Sequence, residues 1–327
     1  AFGSLLIVPL VDLFGRRLLY FVLLALGLLA TVFLSLAQSA VGYAVAIFFV
    51  TFTIKPAAMI GYLLMQEKVP ERLWPVLIVV VNVSYAWVNL TLAVVGGTLA
   101  NSLSWRTEML LWHIPFALIL LFGHVFVGES PHFGKQAVSQ QSLRGCFDGK
   151  LGRSLLATIP CWVACTVGFY GLSYSSGRLS SHFYTNLGLL FFADVVSYLL
   201  AAPIVKVLAA RMAQMLAFAL AAVCLAVCAF LPEGSCKVAI AMLGRFSLDT
   251  AFTTIYILLM ECFPAECRGT AMGCTNFVAR LCGCITPLFA VMGAEGCCLV
   301  MSGVCVVASV ATWMLPAPGH AEHEVKV

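Results

Sequence analysis

The sequence predicts an all-α polytopic membrane protein, and three observations carry that prediction. Of 327 residues, 62% are hydrophobic and only 10% charged, with a mean hydropathy of +1.03; a water-soluble domain carries roughly 25% charged residues. Stretches without Asp, Glu, Lys or Arg cover Leu18–Ile54, Leu73–Trp105, Met109–Gly128, Ser154–Gly177, Met212–Pro232 and Gly296–Ala321. A helical span takes about 20 apolar residues, so the longest of these hold two. The runs are also continuous and rich in Leu, Ala and Val, without the alternation of barrel strands. A soluble enzyme, a nucleic-acid binder and a disordered protein are excluded, and the formal charge of +4 means little until topology places it.

Charges and turn residues set the elements in order. An opening run, Ala1–Val11, is half a span long and ends at Asp12–Arg17. It has neither a basic n-region nor a cleavage signature, so it is no signal peptide; the expectation is a chain whose first helix or helices are missing. Full spans are then expected over Leu18–Ala37, Ala40–Met65, Pro75–Ala100, Glu108–Val127, Ser154–Tyr174, Tyr184–Leu208, Met212–Leu231, Cys236–Met260, Gly269–Met292 and Gly296–Leu315. That makes eleven, counting the partial first. With Asp12–Arg17 cytoplasmic, twelve basic residues fall inside and only Arg106, Arg178 and Lys237 outside, the bias that orients membrane proteins. Lys55, Arg245 and Arg280 lie within spans.

An internal repeat divides the chain. A shift of 194 positions carries Glu67 onto Glu261, Pro70 onto Pro264 and Arg17 onto Arg211, and places Lys206 at the Asp12 position. A parallel repeat of six spans predicts two helical bundles related by an axis along the membrane normal. The expected domains are an incomplete bundle over 1–127, a cytoplasmic central loop over 128–152, a six-helix bundle over 153–316 and a cytoplasmic tail over 317–327.

Asp12-Leu-Phe-Gly15-Arg16-Arg17 resembles the D-x-x-G-R-R loop of the major facilitator superfamily, and Glu261-Cys-Phe-Pro264-Ala-Glu-Cys-Arg268 is similar to the E-x-[FY]-P-T-x-x-R segment of its organic cation/anion branch, solute carrier family 22. Gly128-Glu129-Ser130-Pro131, Trp105-Arg106, Phe169-Tyr170-Gly171-Leu172-Ser173 and Ala279-Arg280-Leu-Cys-Gly283 with Pro287 resemble further motifs of that family, in its order. The resemblance implies the major-facilitator fold of two six-helix bundles, here lacking the first helix and part of the second. Departures mark an atypical member: Val8 replaces a Gly, Ala265 a Thr and Val196 a Pro, the second copy of the loop reads Lys206-Val-Leu-Ala209-Ala210-Arg211, and the large extracellular glycosylated loop is absent.

Two sets of residues are expected to act. At the cytoplasmic face, Asp12, Gly15, Arg16, Arg17, Glu67, Glu129, Glu261 and Arg268 form a candidate gate, in which carboxylates meet helix ends and cations; positive-inside anchoring by Arg16 and Arg17 alone is the simpler alternative. Within the bilayer, the ionisable residues Lys55, Asp194, Arg245, Asp249 and Arg280 point to a pathway, because facing lipid is costly for a charge. The repeat places Lys55 and Asp249 at equivalent positions, which suggests an ion pair across a central cavity. Arg245 and Asp249 share a helix face continued by Phe252 and Tyr256. Tyr170 with Tyr174, and Asp194 with Tyr198, are i,i+4 pairs that suit an aromatic-lined site for organic ions. Asn276, Arg280 and Pro287 fall on one side of their span. Arg280 matches the position where the family's anion carriers hold Arg and many cation carriers hold Asp; pairing with Asp249 or Asp194 is the structural alternative.

All fourteen Cys lie from Cys146 onward, without metal-ligand spacing, and behave as small apolar residues. Neither a P-loop, a G-x-S-x-G elbow nor an H-E-x-x-H occurs, so neither an enzyme activity nor a cofactor or metal is expected. The expected function is secondary transport of small organic ions, anions slightly favoured, in a multi-pass protein of the plasma membrane whose partners are its substrate and the bilayer. A transporter-like receptor or accessory protein is the alternative.

Overall fold

The computed structural model describes residues 3, 7, 14–70, 73–99, 102–129, 149–263 and 265–315. They form ten α-helices: α1 Arg16–Leu36, α2 Ala40–Lys68, α3 Trp74–Leu99, α4 Trp105–Phe126, α5 Gly149–Ser175, α6 Phe183–Leu208, α7 Ala210–Phe230, α8 Ser235–Cys262, α9 Ala265–Gly283 and α10 Ala294–Trp313. Nine of these are long and apolar enough to cross a membrane among the described residues. Each expected full span except Gly269–Met292 corresponds to one helix, with ends shifted by a few residues. The half-span Ala1–Val11 and the loop residue Asp12 lie outside the described residues, apart from helical Gly3 and Ile7.

The expected span Gly269–Met292 needs correction. Its helix, α9, stops at Gly283, and Thr286–Ala290 form a separate 3-10 helix. It is also the helix that falls short as a membrane span, because Glu266, Arg268, Thr270, Thr275, Asn276 and Arg280 crowd its 19 residues. Pro287 therefore sits in the 3-10 turn, exposed, and does not continue the helix face of Asn276 and Arg280. The Thr286 hydroxyl donates to the Gly283 carbonyl at 2.7 Å, satisfying one acceptor that the broken helix leaves behind.

The chain divides into two compact units, residues 1–78 with 98–138, and residues 79–97 with 139–327. In the first, α1 packs on α2 and α4. Leu23, Ala57 and Ile60 form the small core. A Cβ at Gly27 would lie 2.6 Å from Ile54, so close approach of α1 and α2 requires glycine there. No residue of α4 is buried; its apolar surface is of the kind that a bilayer covers.

In the second unit, α8 is central and packs on α5, α6 and α7, while α10 lies against α5 and α7. Its core runs from Trp162 and Leu172 through Phe218 and Leu225 to Leu248, Ile255 and Met301. The α7–α10 contact is built from small residues, including Ala213, Ala217, Ala221, Cys297, Cys305 and Ala308, all buried. Three hydrogen bonds cross it: Arg211 Nη2 to Trp313 O, Ser309 Oγ to Met215 O at 3.0 Å and Ser302 Oγ to Ala222 O at 2.8 Å. The twelve cysteines whose side chains are described are free thiols, eight of them buried.

The repeat is visible in the backbone. Gly15 precedes α1 with φ 88° and ψ 150°, and Ala209 precedes α7 with φ 59° and ψ 153°. Position 209 is position 15 shifted by 194, so the second copy keeps the conformation after losing the glycine that suits it. The next-but-one residue repeats too: Arg17 Nη2 donates to the His124 carbonyl at the end of α4, and Arg211 Nη2 to the Trp313 carbonyl at the end of α10. A non-glycine residue held in this region carries roughly 1–3 kcal/mol of strain. Ala209→Gly is therefore expected to stabilise the protein by about 1 kcal/mol after glycine's extra unfolded-state entropy is subtracted. Thermal unfolding of the purified variant checks this, and an unchanged or lowered midpoint would count against the strain.

Candidate functional site

The second unit gathers the intramembrane charges. Arg245 of α8 is wholly buried and reaches α6, where Nε donates to Asp194 Oδ1 at 2.6 Å and Nη2 to Asp194 Oδ2 at 2.9 Å. This is the bidentate fork of a guanidinium on a carboxylate. Nη1 turns to α5 and donates to the Phe169 carbonyl at 2.5 Å and Ser173 Oγ at 3.1 Å. The guanidinium carbon lies 3.5 Å from the Phe169 ring centroid and 5.8 Å from that of Phe191, so aromatic faces supply further attraction. Asp249, one turn along α8, stands 3.3 Å from Arg245 Nε. Tyr198 of α6 donates its hydroxyl to Asp249 Oδ1 over 3.5 Å. Helical periodicity explains the assembly: Asp194 and Tyr198 are one turn apart on α6, as are Phe169 and Ser173 on α5.

Arg280 occupies different surroundings. It is half-buried, with Nε donating to Asn276 Oδ1 at 3.2 Å and Nη1 to the Tyr170 hydroxyl at 3.1 Å. The alternative in which Arg280 pairs with Asp194 or Asp249 is not what forms, because Arg245 engages both carboxylates. The third cluster is aromatic: Trp162 of α5, 1% exposed, meets the edges of Phe252 and Tyr256 with ring centroids 5.9 and 5.1 Å away. Tyr174, at the end of α5, is exposed, as is Lys55 on α2 in the first unit.

The candidate gate is partly in view. Glu129, past the end of α4, accepts the backbone N–H groups of Arg16 at 3.0 Å and Arg17 at 3.1 Å. It thus caps the N-terminus of α1, where the helix dipole favours negative charge. Lys68 Nζ donates to the Gly128 carbonyl at 2.6 Å, which anchors the same segment to the end of α2. Gly15 permits the positive φ at this entry. Glu261 ends α8, where partial desolvation raises its carboxyl above the ordinary value. Asp12 lies outside the described residues, and Glu67 and Arg268 are placed on α2 and α9 by their backbone alone.

Sequence reasoning missed the Arg245 partners on α5, Phe169 and Ser173, and the edge-on role of Trp162. The i,i+4 spacing of Phe169 and Ser173 within a span was the available signal. Among the described residues, no group of three His, Cys, Asp or Glu side chains is arranged to hold a metal.

Comparison with known proteins places this geometry. The chain is 25% identical over 333 residues to the solute carrier family 22 member 15-like protein of Xenopus laevis, which covers 89% of this chain and 67% of that protein. Organic cation/carnitine transporter 2 of Mus musculus is 27% identical over 141 residues, 42% of this chain and 25% of the relative. Among solved structures, the xylose transporter XylE from E. coli in an inward-open conformation superposes with a TM-score of 0.73 at 14% identity, over 98% of this chain and 84% of that one. The nucleoside transporter NupG gives 0.69 at 12% identity, over 95% and 86%. The family model for the Major Facilitator Superfamily matches residues 1–287. Ten described helices in a multi-pass membrane fold, with that match across most of the sequence, show that this chain belongs to the Major Facilitator Superfamily.

Proposed function

We propose that the chain is a secondary carrier of small organic anions of the solute carrier family 22 type, working by alternating access. One observation carries the substrate class: among the described residues, Arg280 is held by the neutral groups of Asn276 and Tyr170, while the buried carboxylates Asp194 and Asp249 are engaged by Arg245. A guanidinium keeps its charge, so a half-buried one with neutral neighbours is completed by an anionic ligand. Tyr170 provides aromatic surface beside it, and Phe252 and Tyr256, packed on Trp162, are further aromatic residues assigned to the path in this reading, which suits an amphipathic organic ion. Lys55, a charge on a membrane-spanning helix of the first unit, is a further candidate substrate contact in this reading. The α1 entry capped by Glu129 acts as part of the gate on the cytoplasmic side, and the protein resides in the plasma membrane with that face inward.

The test is uptake of labelled organic anions and cations by the full-length protein in proteoliposomes. Wild type is expected to take up anions. Arg280→Ala is expected to lower that uptake by about 10–100-fold, the equivalent of roughly 1.5–3 kcal/mol for a hydrogen bond to a charged group. Arg280→Asp should move preference toward cations. Anion uptake indifferent to Arg280→Ala would remove Arg280 from the site, and no uptake of any organic ion would sink the carrier reading.

A further inference from the structure

The α5–α6–α8 centre holds two carboxylates and one guanidinium, and its hydrogen bonds are unequally shared. An Arg side chain has five N–H donors and no means of discharging. Four of those on Arg245 are committed, two to Asp194, one to the Phe169 carbonyl and one to Ser173. Asp249 receives none of these hydrogen bonds; its engagement with the guanidinium is the 3.3 Å approach of Oδ2 to the Nε that already donates to Asp194. The Asp249 Oδ2 is buried without a hydrogen-bond partner among the described residues, and its Oδ1 has the long bond from Tyr198. The carboxyl is 2% exposed. The titratable groups facing it are Asp194 and Tyr198 from α6, Cys165 from α5 and Arg245 from its own helix. Tyr85 of α3 faces Arg245 and Tyr198, with Tyr170 of α5 and Arg280 of α9 beyond it. Asp194, with both oxygens on the guanidinium, is the partner that neutralises Arg245. An ionised Asp249 would then be an excess negative charge in a bilayer span, a state that such groups avoid by binding a proton.

We propose that Asp249 is a proton-binding site, protonated in this conformation, whose release of the proton couples proton movement to the transport cycle. The coupling rests on the carrier reading above; the protonation does not. In the release step the O–H bond of the Asp249 carboxyl breaks, the proton passes to water as hydronium, and a carboxylate remains; no electrons are exchanged. Once ionised, Asp249 competes with Asp194 for the guanidinium 3.3 Å away. The proton thus decides which of α6 and the adjacent turn of α8 holds Arg245. A monoanion at Arg280 and a proton at Asp249 together add no net charge, so the cycle is electroneutral symport.

Two measurements on the full-length protein test this. Infrared spectra in lipid nanodiscs at neutral pH are expected to show the C=O stretch of a protonated carboxyl that is absent in Asp249→Asn and retained in Glu261→Gln. Tyr198→Phe, which removes the hydroxyl on Oδ1, should shift its frequency, and this second variant serves should Asp249→Asn fold poorly. A wild-type spectrum without the band, a band that survives Asp249→Asn, or one indifferent to Tyr198→Phe overturns the site. In proteoliposomes, an outside-acid pH gradient is expected to raise initial uptake of a labelled organic monoanion several-fold, an effect lost in Asp249→Asn. Anion uptake indifferent to the gradient, or driven by sodium instead, overturns the coupling while the carrier reading stands. Absence of uptake under every condition overturns the carrier reading and the coupling together, and the infrared result alone then decides the protonation.

Discussion

Arg245→Gln is expected to leave almost no stably folded protein, judged by monodisperse yield and thermal unfolding after purification. Glutamine retains a short polar arm but removes the positive charge and the fork, so Asp194, 0% exposed, is left buried with no cation against it. Breaking a buried pair from one side costs about 3–5 kcal/mol because the remaining charge is stranded. Here the loss also strips donors from the Phe169 carbonyl and Ser173, which ties α5 to the same defect. Total stabilities of single domains run only about 5–15 kcal/mol, so the effect approaches the whole margin. Asp194→Asn should fail in the same way from the other side. The double variant Asp194→Asn with Arg245→Gln strands neither charge and should recover a substantial part of the yield. Equal yields for the single and double variants would show that the pair is not what holds α6 to α8.

Trp162→Ala carries the next largest expected effect, a destabilisation of about 3–5 kcal/mol from an unfilled cavity in the core. The indole contacts Phe252 and Tyr256 edge-on, and both rings lose that contact together while keeping their own with each other. Among the described residues the indole Nε1 is buried without a hydrogen-bond partner, and an unsatisfied donor carries a penalty of roughly 1–3 kcal/mol. Trp162→Phe deletes that donor while keeping an aromatic face, so the two terms oppose each other and the net change should stay within about 2 kcal/mol. Thermal unfolding of both variants checks the ordering. A phenylalanine variant as unstable as the alanine variant would mean that the indole nitrogen is bonded in the membrane, through a group such as an ordered water.

The sequence made the helices legible because a bilayer demands long apolar runs, and charge marks where they end. The sites of interest were legible as residues, since Asp194, Arg245, Asp249 and Arg280 are conspicuous inside charge-free stretches. Their pairing was not. Arg245 and Asp194 are 51 positions apart, and no periodicity within one helix says which neighbour's carboxylate will meet the guanidinium. The repeat instead suggested Asp249 with Lys55, and the family motif drew attention to Arg280. The break in α9 was hidden for a related reason: apolar residues on both sides of Gly283 read as one span, whereas the polar residues upstream leave that helix short of membrane character. The loop around Ala209 is a contrasting case. Its motif looked eroded, yet backbone angles and the Arg211 contact match those at Gly15 and Arg17, because position of the neighbouring helix ends, more than residue identity, dictates the turn.

The α7–α10 pair has a mechanical consequence. From Arg211 to Met215 to Ala222 the donors and acceptors on α7 advance by four and then seven residues, and their partners on α10 retreat from Trp313 to Ser309 to Ser302 by the same steps. A slip of one residue would break all three bonds at once and shift side chains within a tightly buried contact rich in alanine and cysteine. Sliding by a helical turn, the ratchet through which many packed helices change register, is therefore closed to this pair. Within its unit it serves as a fixed keel, and any rearrangement there falls to α8, with its shared guanidinium, and to α9, with its interrupted end.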